Sequence, residues 1–92
     1  PPPELPPAAA DTVRIDIRNL AYTRATITVT AGTVVEWINR DPVAHTVTAD
    51  NGAFDSGNLD PGARWSRRFD RAGVFAYHCT PHPFMRAVVV VR

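Results

Sequence analysis

From residue 11 onward, apolar side chains recur at every second position rather than every third or fourth, and this period limits the fold more than any other feature. Val13, Ile15 and Ile17 alternate with Thr12, Arg14, Asp16 and Arg18, the pattern of a strand with one buried face. Ile27 and Val29 alternate with threonines across residues 25–30, ahead of a break at Ala31-Gly32. Residues 33–39, 43–49, 63–69, 74–79 and 86–92 read as further strands, with a turn over 70–73. No segment carries a convincing helical period. Seven or so short strands predict an all-β Greek-key β-sandwich. Residues 50–62, rich in Asn, Gly, Asp and Pro, read as a loop crossing between its layers.

Composition removes several function classes. A chain of 92 residues suits one domain of modest core. A formal net charge of +1 argues against nucleic-acid binding, which needs many phosphate contacts from a basic face. All ten basic residues are Arg, which excludes Schiff-base chemistry and a P-loop lysine. A single Cys makes neither an internal disulfide nor a four-thiolate zinc site. No apolar run approaches the roughly 20 residues that span a bilayer. Five of the nine prolines fall in the first seven residues. Residues 1–10 therefore read as a polyproline linker reaching roughly 30 Å, and 11–92 as the folded domain. No signal-peptide pattern is present, as in a mature secreted protein, and a membrane anchor ahead of the linker is compatible with it.

The chemistry is concentrated in Tyr77-His78-Cys79-Thr80-Pro81-His82-Pro83-Phe84-Met85. Phe75, Tyr77 and Cys79 share one strand face, and two aromatics mark that face as the core side. His82 follows Cys79 by three residues, and Met85 follows His82 by three. A tight loop at this spacing can aim a thiolate, an imidazole and a thioether at one point. His45, within the apolar stretch Val43-Ala44-His45-Thr46-Val47, is the natural source of a second imidazole. Two His, one Cys and an axial Met form the donor set of a blue (type 1) copper centre. Taken singly, each residue has a plainer role: a buried Cys as a small hydrophobe, a Met as core filler, a His as a hydrogen-bonded core residue. Together they converge, because the only Cys and only Met fall in one short window around a His. His78 neighbours Cys79, but alternation turns it to the opposite face.

These residues resemble the small cupredoxins (plastocyanin/azurin-like), and within them the amicyanin branch. The copper loop of that branch reads Cys-Thr-Pro-His-Pro-Phe-Met, as 79–85 do here. Tyr77-His78 before it, Arg86 and a valine-rich strand after it, and Trp37-Ile38-Asn39-Arg40 ahead of His45 also match. The resemblance covers about residues 12–92. It implies one copper ion held by His45, Cys79, His82 and Met85 near one end of an eight-stranded sandwich. It departs at Thr46, where the branch has Asn, at Ala44, where it has Pro (here displaced to Pro42), and in residues 50–62, which lack the branch's methionines.

Around the ligands, the family pattern implies that Asn39 pins the two ligand loops together and that the Thr46 backbone N–H donates to the thiolate. Pro81 has no N–H, so Thr46 is expected to be the sole backbone donor, which leaves more charge on sulfur and lowers the potential. The expected electron edge is His82 within an apolar patch of Pro81, Pro83 and Phe84. In amicyanin-like sites the loop His can protonate and leave Cu(I), and His82 is expected to do the same. Arg64, Arg67, Arg68 and Arg71 read either as a solvated strand face or as a cluster that steers an acidic partner.

The expected function is a monomeric electron carrier, not an enzyme, because four filled positions leave no open site for substrate. Its partners would be redox proteins, such as a dehydrogenase, a c-type cytochrome or a terminal oxidase, in a periplasmic or other extracytoplasmic compartment. The competing readings are a copper-delivery module, the electron-transfer domain of a larger membrane-tethered redox protein, and a thiol enzyme built on Cys79. Delivery commonly uses Met- or His-rich tracts that this chain lacks. A thiol enzyme would leave Met85 without a role.

Overall fold

The computed structural model describes residues 12–92, so the linker expected over 1–10 lies outside the described residues. Eight strands run in chain order: β1 (Thr12–Arg18), β2 (Ala21–Tyr22), β3 (Thr26–Val29), β4 (Thr33–Asn39), β5 (Thr48–Ala49), β6 (Arg64–Phe69), β7 (Gly73–His78) and β8 (Arg86–Val91). They form two four-stranded sheets, ordered β2-β1-β4-β6 and β3-β8-β7-β5. The connections β2–β3, β3–β4, β4–β5, β5–β6 and β6–β7 each pass from one sheet to the other. The expected all-β sandwich is present, and residues 50–62 do cross between layers.

The alternation places the core. Ile15 and Ile17 of β1, Val35 and Trp37 of β4, Tyr77 of β7, and Val89 and Val91 of β8 all point into one buried cluster. Trp37 and Tyr77 meet edge to face at 5.4 Å, and the Trp37 indole N–H donates to the Tyr77 hydroxyl at 3.2 Å. Burial pushes the Tyr77 phenol up to about 12 against the pull of that bond, so it stays protonated. The pair rigidifies the sheet interior one residue from the strand end that carries His78 and then Cys79.

Two elements differ from the sequence expectation. Strand β2 has no alternating run, because it is the short return arm of a hairpin: Arg18 pairs with Ala21 and Ile17 with Tyr22. Its two-residue loop, Asn19 and Leu20, has φ of 53° and 57°, the left-handed signature of a type I′ turn. Asn tolerates that region, whereas Leu is strained by roughly 1–2 kcal/mol. The second difference concerns 43–49, of which only Thr48 and Ala49 form a strand. Ahead of them the backbone finds other partners: His45 exchanges both backbone bonds with Leu59, and the Asn39 side chain donates to Val43 O at 2.8 Å. Local satisfaction of those groups removes the drive to extend a ladder.

Candidate metal centre

The chain between β7 and β8 is closed at its base by the His78–Arg86 register pair. It then folds on itself through three backbone bonds: Cys79 N–H to Met85 O at 3.1 Å, His82 N–H to Cys79 O at 3.2 Å, and Met85 N–H to His82 O at 2.9 Å. Residues 79–85 thus make two successive turns that return Met85 beside Cys79. Cys79 is a free thiol with 0% exposure, and Met85 is equally enclosed.

Two imidazoles converge on that sulfur. The Nδ1 atoms of His45 and His82 each lie 3.6 Å from Cys79 Sγ, and the donor atoms of all three residues fall within 4.8 Å of one another. The rings stand at 62° with centroids 5.0 Å apart. His45 is fully buried, whereas His82 is half-buried between exposed Pro81 and Pro83. His82 meets the ring of Phe84 at 6.0 Å. His78 turns away, as alternation predicts, and bonds Asp50 through Nδ1 at 2.6 Å.

A buried cysteine sulfur between two imidazole nitrogens offers one soft and two borderline donors, a set that suits copper in both oxidation states. Residues 9–92 match the copper binding proteins of the plastocyanin/azurin family. The chain belongs to that family. This cupredoxin is 36% identical over 100 residues to amicyanin of Paracoccus denitrificans, spanning 99% of this chain and 76% of that protein. It is 34% identical over 74 residues to chloroplastic plastocyanin of Tetradesmus obliquus, spanning 68% of this chain and 51% of the other. Among solved structures, the Cu(I) form of an amicyanin variant superposes with a TM-score of 0.83 at 34% identity, covering 89% of this chain and 83% of that one. A purple cupredoxin from Nitrosopumilus maritimus gives a TM-score of 0.79 at 29% identity, with coverages of 87% and 99%.

Around the cupredoxin site, Thr46 N–H lies 3.4 Å from Cys79 Sγ. Among the described residues it is the one backbone N–H donating to that sulfur, and Pro81 has none to offer. The pin between the two ligand segments is not the Asn39 amide, which donates to Val43 O and Leu59 O, both at 2.8 Å. Asn39 instead holds the His45 loop to the Leu59 segment. Thr46 joins the ligand segments: its hydroxyl accepts from Thr80 N–H at 2.8 Å and meets the hydroxyls of Thr48 at 2.8 Å and Thr80 at 3.3 Å. Tyr22, from the unforeseen strand β2, donates its hydroxyl to Thr46 O at 2.6 Å. Burial first, then the charges that Cys79 and Tyr77 would carry, push the Tyr22 phenol far above its ordinary value, so it remains a donor.

The residue that sequence reading missed is Asp41. Its carboxylate lies 2.7 Å from His45 Nε2 and accepts the Asn19 and Leu20 N–H groups at 2.6 and 2.8 Å. Burial works against its charge, but the Leu20 N–H, the His45 ring and the Asn19 N–H together outweigh it and hold the carboxyl below the ordinary range. One side chain thereby stabilises the left-handed hairpin loop and orients the imidazole, leaving Nδ1 to face Cys79. The available signal was chemical rather than periodic: a metal-binding His nearly always donates its other N–H, and Asp41 is the acid nearest to His45 in sequence.

Proposed function

We propose that this chain is a single-electron carrier in which His45 Nδ1, Cys79 Sγ, His82 Nδ1 and the Met85 thioether hold one copper ion. The observation that carries the reading is the convergence of two imidazole Nδ1 atoms on one buried thiol, each at 3.6 Å. Copper held there would supply a Cu(II)/Cu(I) couple, since soft sulfur suits Cu(I) and imidazole suits copper generally. The residues supply the rest. Asp41 and Thr46 fix the His45 segment, the two turns of 79–85 fix the other donors, and the closed core around Cys79 and Met85 excludes water. Four protein donors leave no open position for substrate, which supports a carrier rather than an enzyme.

His82 is the edge through which electrons enter and leave. It is the half-buried member of the set, and Pro81, Pro83 and Phe84, which is 68% exposed, make an apolar rim around it. Weak redox encounters use small interfaces that release quickly. The partners are redox proteins in a periplasmic or other extracytoplasmic compartment, where a partnerless thiol is protected by burial and metal. Among the described residues no helix is long and apolar enough to cross a membrane.

Titrating the protein with Cu(II) and recording the visible spectrum tests the assignment. An intense blue band at one equivalent, absent in Cys79→Ala and retained in His78→Ala, is expected. A colourless Cu(II) complex, or a band unaffected by Cys79→Ala, would sink it.

A further inference from the structure

The four arginines between residues 64 and 71 do not form a uniform solvated face. Side chains alternate along β6, so Arg67 shares the inner side with Trp65 and Phe69. Its guanidinium carbon sits 5.0 Å from the Phe54 ring centre and 5.6 Å from that of Phe69. Its Nε is shielded from solvent and has no hydrogen-bond partner. Among the described residues Arg67 and Arg71 enter no ion pair, whereas Arg68 is neutralised by Asp70 at 2.8 Å. A half-buried cation without a counter-charge is one side of an unfinished pair, since buried charges are normally compensated.

These groups line a cavity of about 410 Å³ together with Ala53, Phe69, Asp70 and Phe75, within the roughly 300–1,000 Å³ of small-molecule sites. The cavity opens at the β6–β7 turn. Cys79 follows the other end of β7, so it lies about 20 Å away at roughly 3.3 Å per residue. Charge is polarised in the same sense. Residues 64–71 hold four arginines and one aspartate, a formal +3, while the other six arginines and eight acids of the chain total −2.

We propose that this cavity binds a small organic anion, a carboxylate or phosphate monoester carrying a flat apolar group. Arg67 and Arg71 supply the counter-charge, and Ala53, Phe69 and Phe75 the apolar wall. The Phe54 and Phe69 rings hold the Arg67 guanidinium in place before the ligand arrives, so little side-chain freedom is lost on binding. The site is independent of the metal centre and does not rest on the electron-transfer reading.

Calorimetric titration of the copper-loaded protein with benzoate and with phenyl phosphate tests it, with neutral benzamide as the isostere. Saturable one-to-one binding of at least one anion is expected, with benzamide about tenfold weaker or worse because the charge-assisted bonds are lost. The tighter probe names the head group. Arg67→Gln and Arg71→Ser should each weaken the anion about tenfold, and Arg14→Gln, an exposed partner of Glu36 on β4, should not. Arg71 lies in an exposed turn, so its variant remains informative if Arg67→Gln fails to fold. Absence of saturation by both anions, equal binding of benzamide, or unchanged affinity in Arg71→Ser would overturn the proposal. So would an Arg67→Gln variant that self-associates while its affinity is unchanged, since the inward arginine would then serve only to protect the β6 edge.

Discussion

His45 and His82 present the same ring atom to the same sulfur at the same distance, 3.6 Å, and differ in nearly everything behind it. His45 has no solvent exposure, an ionised carboxylate on its far nitrogen, and a backbone paired with Leu59. His82 is partly exposed, sits in a loop closed by its own turns, and has an exposed phenylalanine ring at its side. One half of the site is built as part of the core, and the other as an edge. The proposed electron transfer would use both: a rigid donor that keeps the geometry constant, and a donor that brings the metal close to a partner.

The largest expected effect of this asymmetry lies in chemical rescue. His45→Gly and His82→Gly should both lose the blue band on copper addition. Free imidazole should restore it in His82→Gly, where the gap opens to solvent, and not in His45→Gly, where it is enclosed. The visible spectrum at increasing imidazole reads this directly. Equal rescue of both variants would show that the two positions are equally accessible and remove the distinction.

Next comes the carboxylate. Asp41→Asn should weaken copper affinity by about 10–100-fold, as loss of a ligand's outer partner typically does. It should also raise the reduction potential, because His45 becomes a poorer donor to Cu(II). The same residue carries a pH signature. Its carboxyl lies below the ordinary value in the folded chain, so the fold favours the ionised form. That stability is fully present above the unfolded value near 3.8 and is lost as pH falls through the folded value. Denaturant unfolding below about pH 4 should therefore be steeper in pH for the native chain than for Asp41→Asn. No equivalent is expected from any substitution beside His82.

How far the sequence revealed this asymmetry follows from what each half is made of. The edge half lies in one continuous segment, 79–85, where unlike donors three residues apart leave few alternatives. The sandwich was equally legible, since alternation in β1, β4, β7 and β8 reports burial directly. The core half was legible only as His45 itself. Asp41 acts through a contact with a hairpin more than twenty residues earlier in the chain, at Asn19 and Leu20, and that hairpin lacks the Asn-Gly sequence that would have announced it. The work expected of Asn39 fell to Thr46 for a similar reason: a hydroxyl that bonds both Thr48 and Thr80 leaves no periodic trace.

Thr46 allows a smaller test of how the halves are joined. Thr46→Val keeps the backbone N–H that meets Cys79 Sγ but removes the hydroxyl that receives Thr80 N–H. Leaving that partly buried donor unsatisfied should reduce stability by about 1–3 kcal/mol in denaturant unfolding. The blue band should persist at nearly the same position. A lost band would mean that the hydroxyl clamp, and not the N–H, sets the position of the sulfur.

The smallest structural effect should come from the edge itself. Phe84 is 68% exposed and touches His82 only through ring edges 6.0 Å apart between centres. Phe84→Ala should thus alter unfolding stability by no more than about 0.5 kcal/mol, as for surface positions generally, and leave the copper spectrum unchanged. What it removes is apolar area around the half of the site proposed to face a partner, where an aromatic is worth most. Electron exchange between Cu(I) and Cu(II) forms of the protein, measured by NMR line broadening, should slow in the variant while the spectrum and stability hold. An unchanged exchange rate would place the contact surface elsewhere and leave His82 exposed for some other purpose.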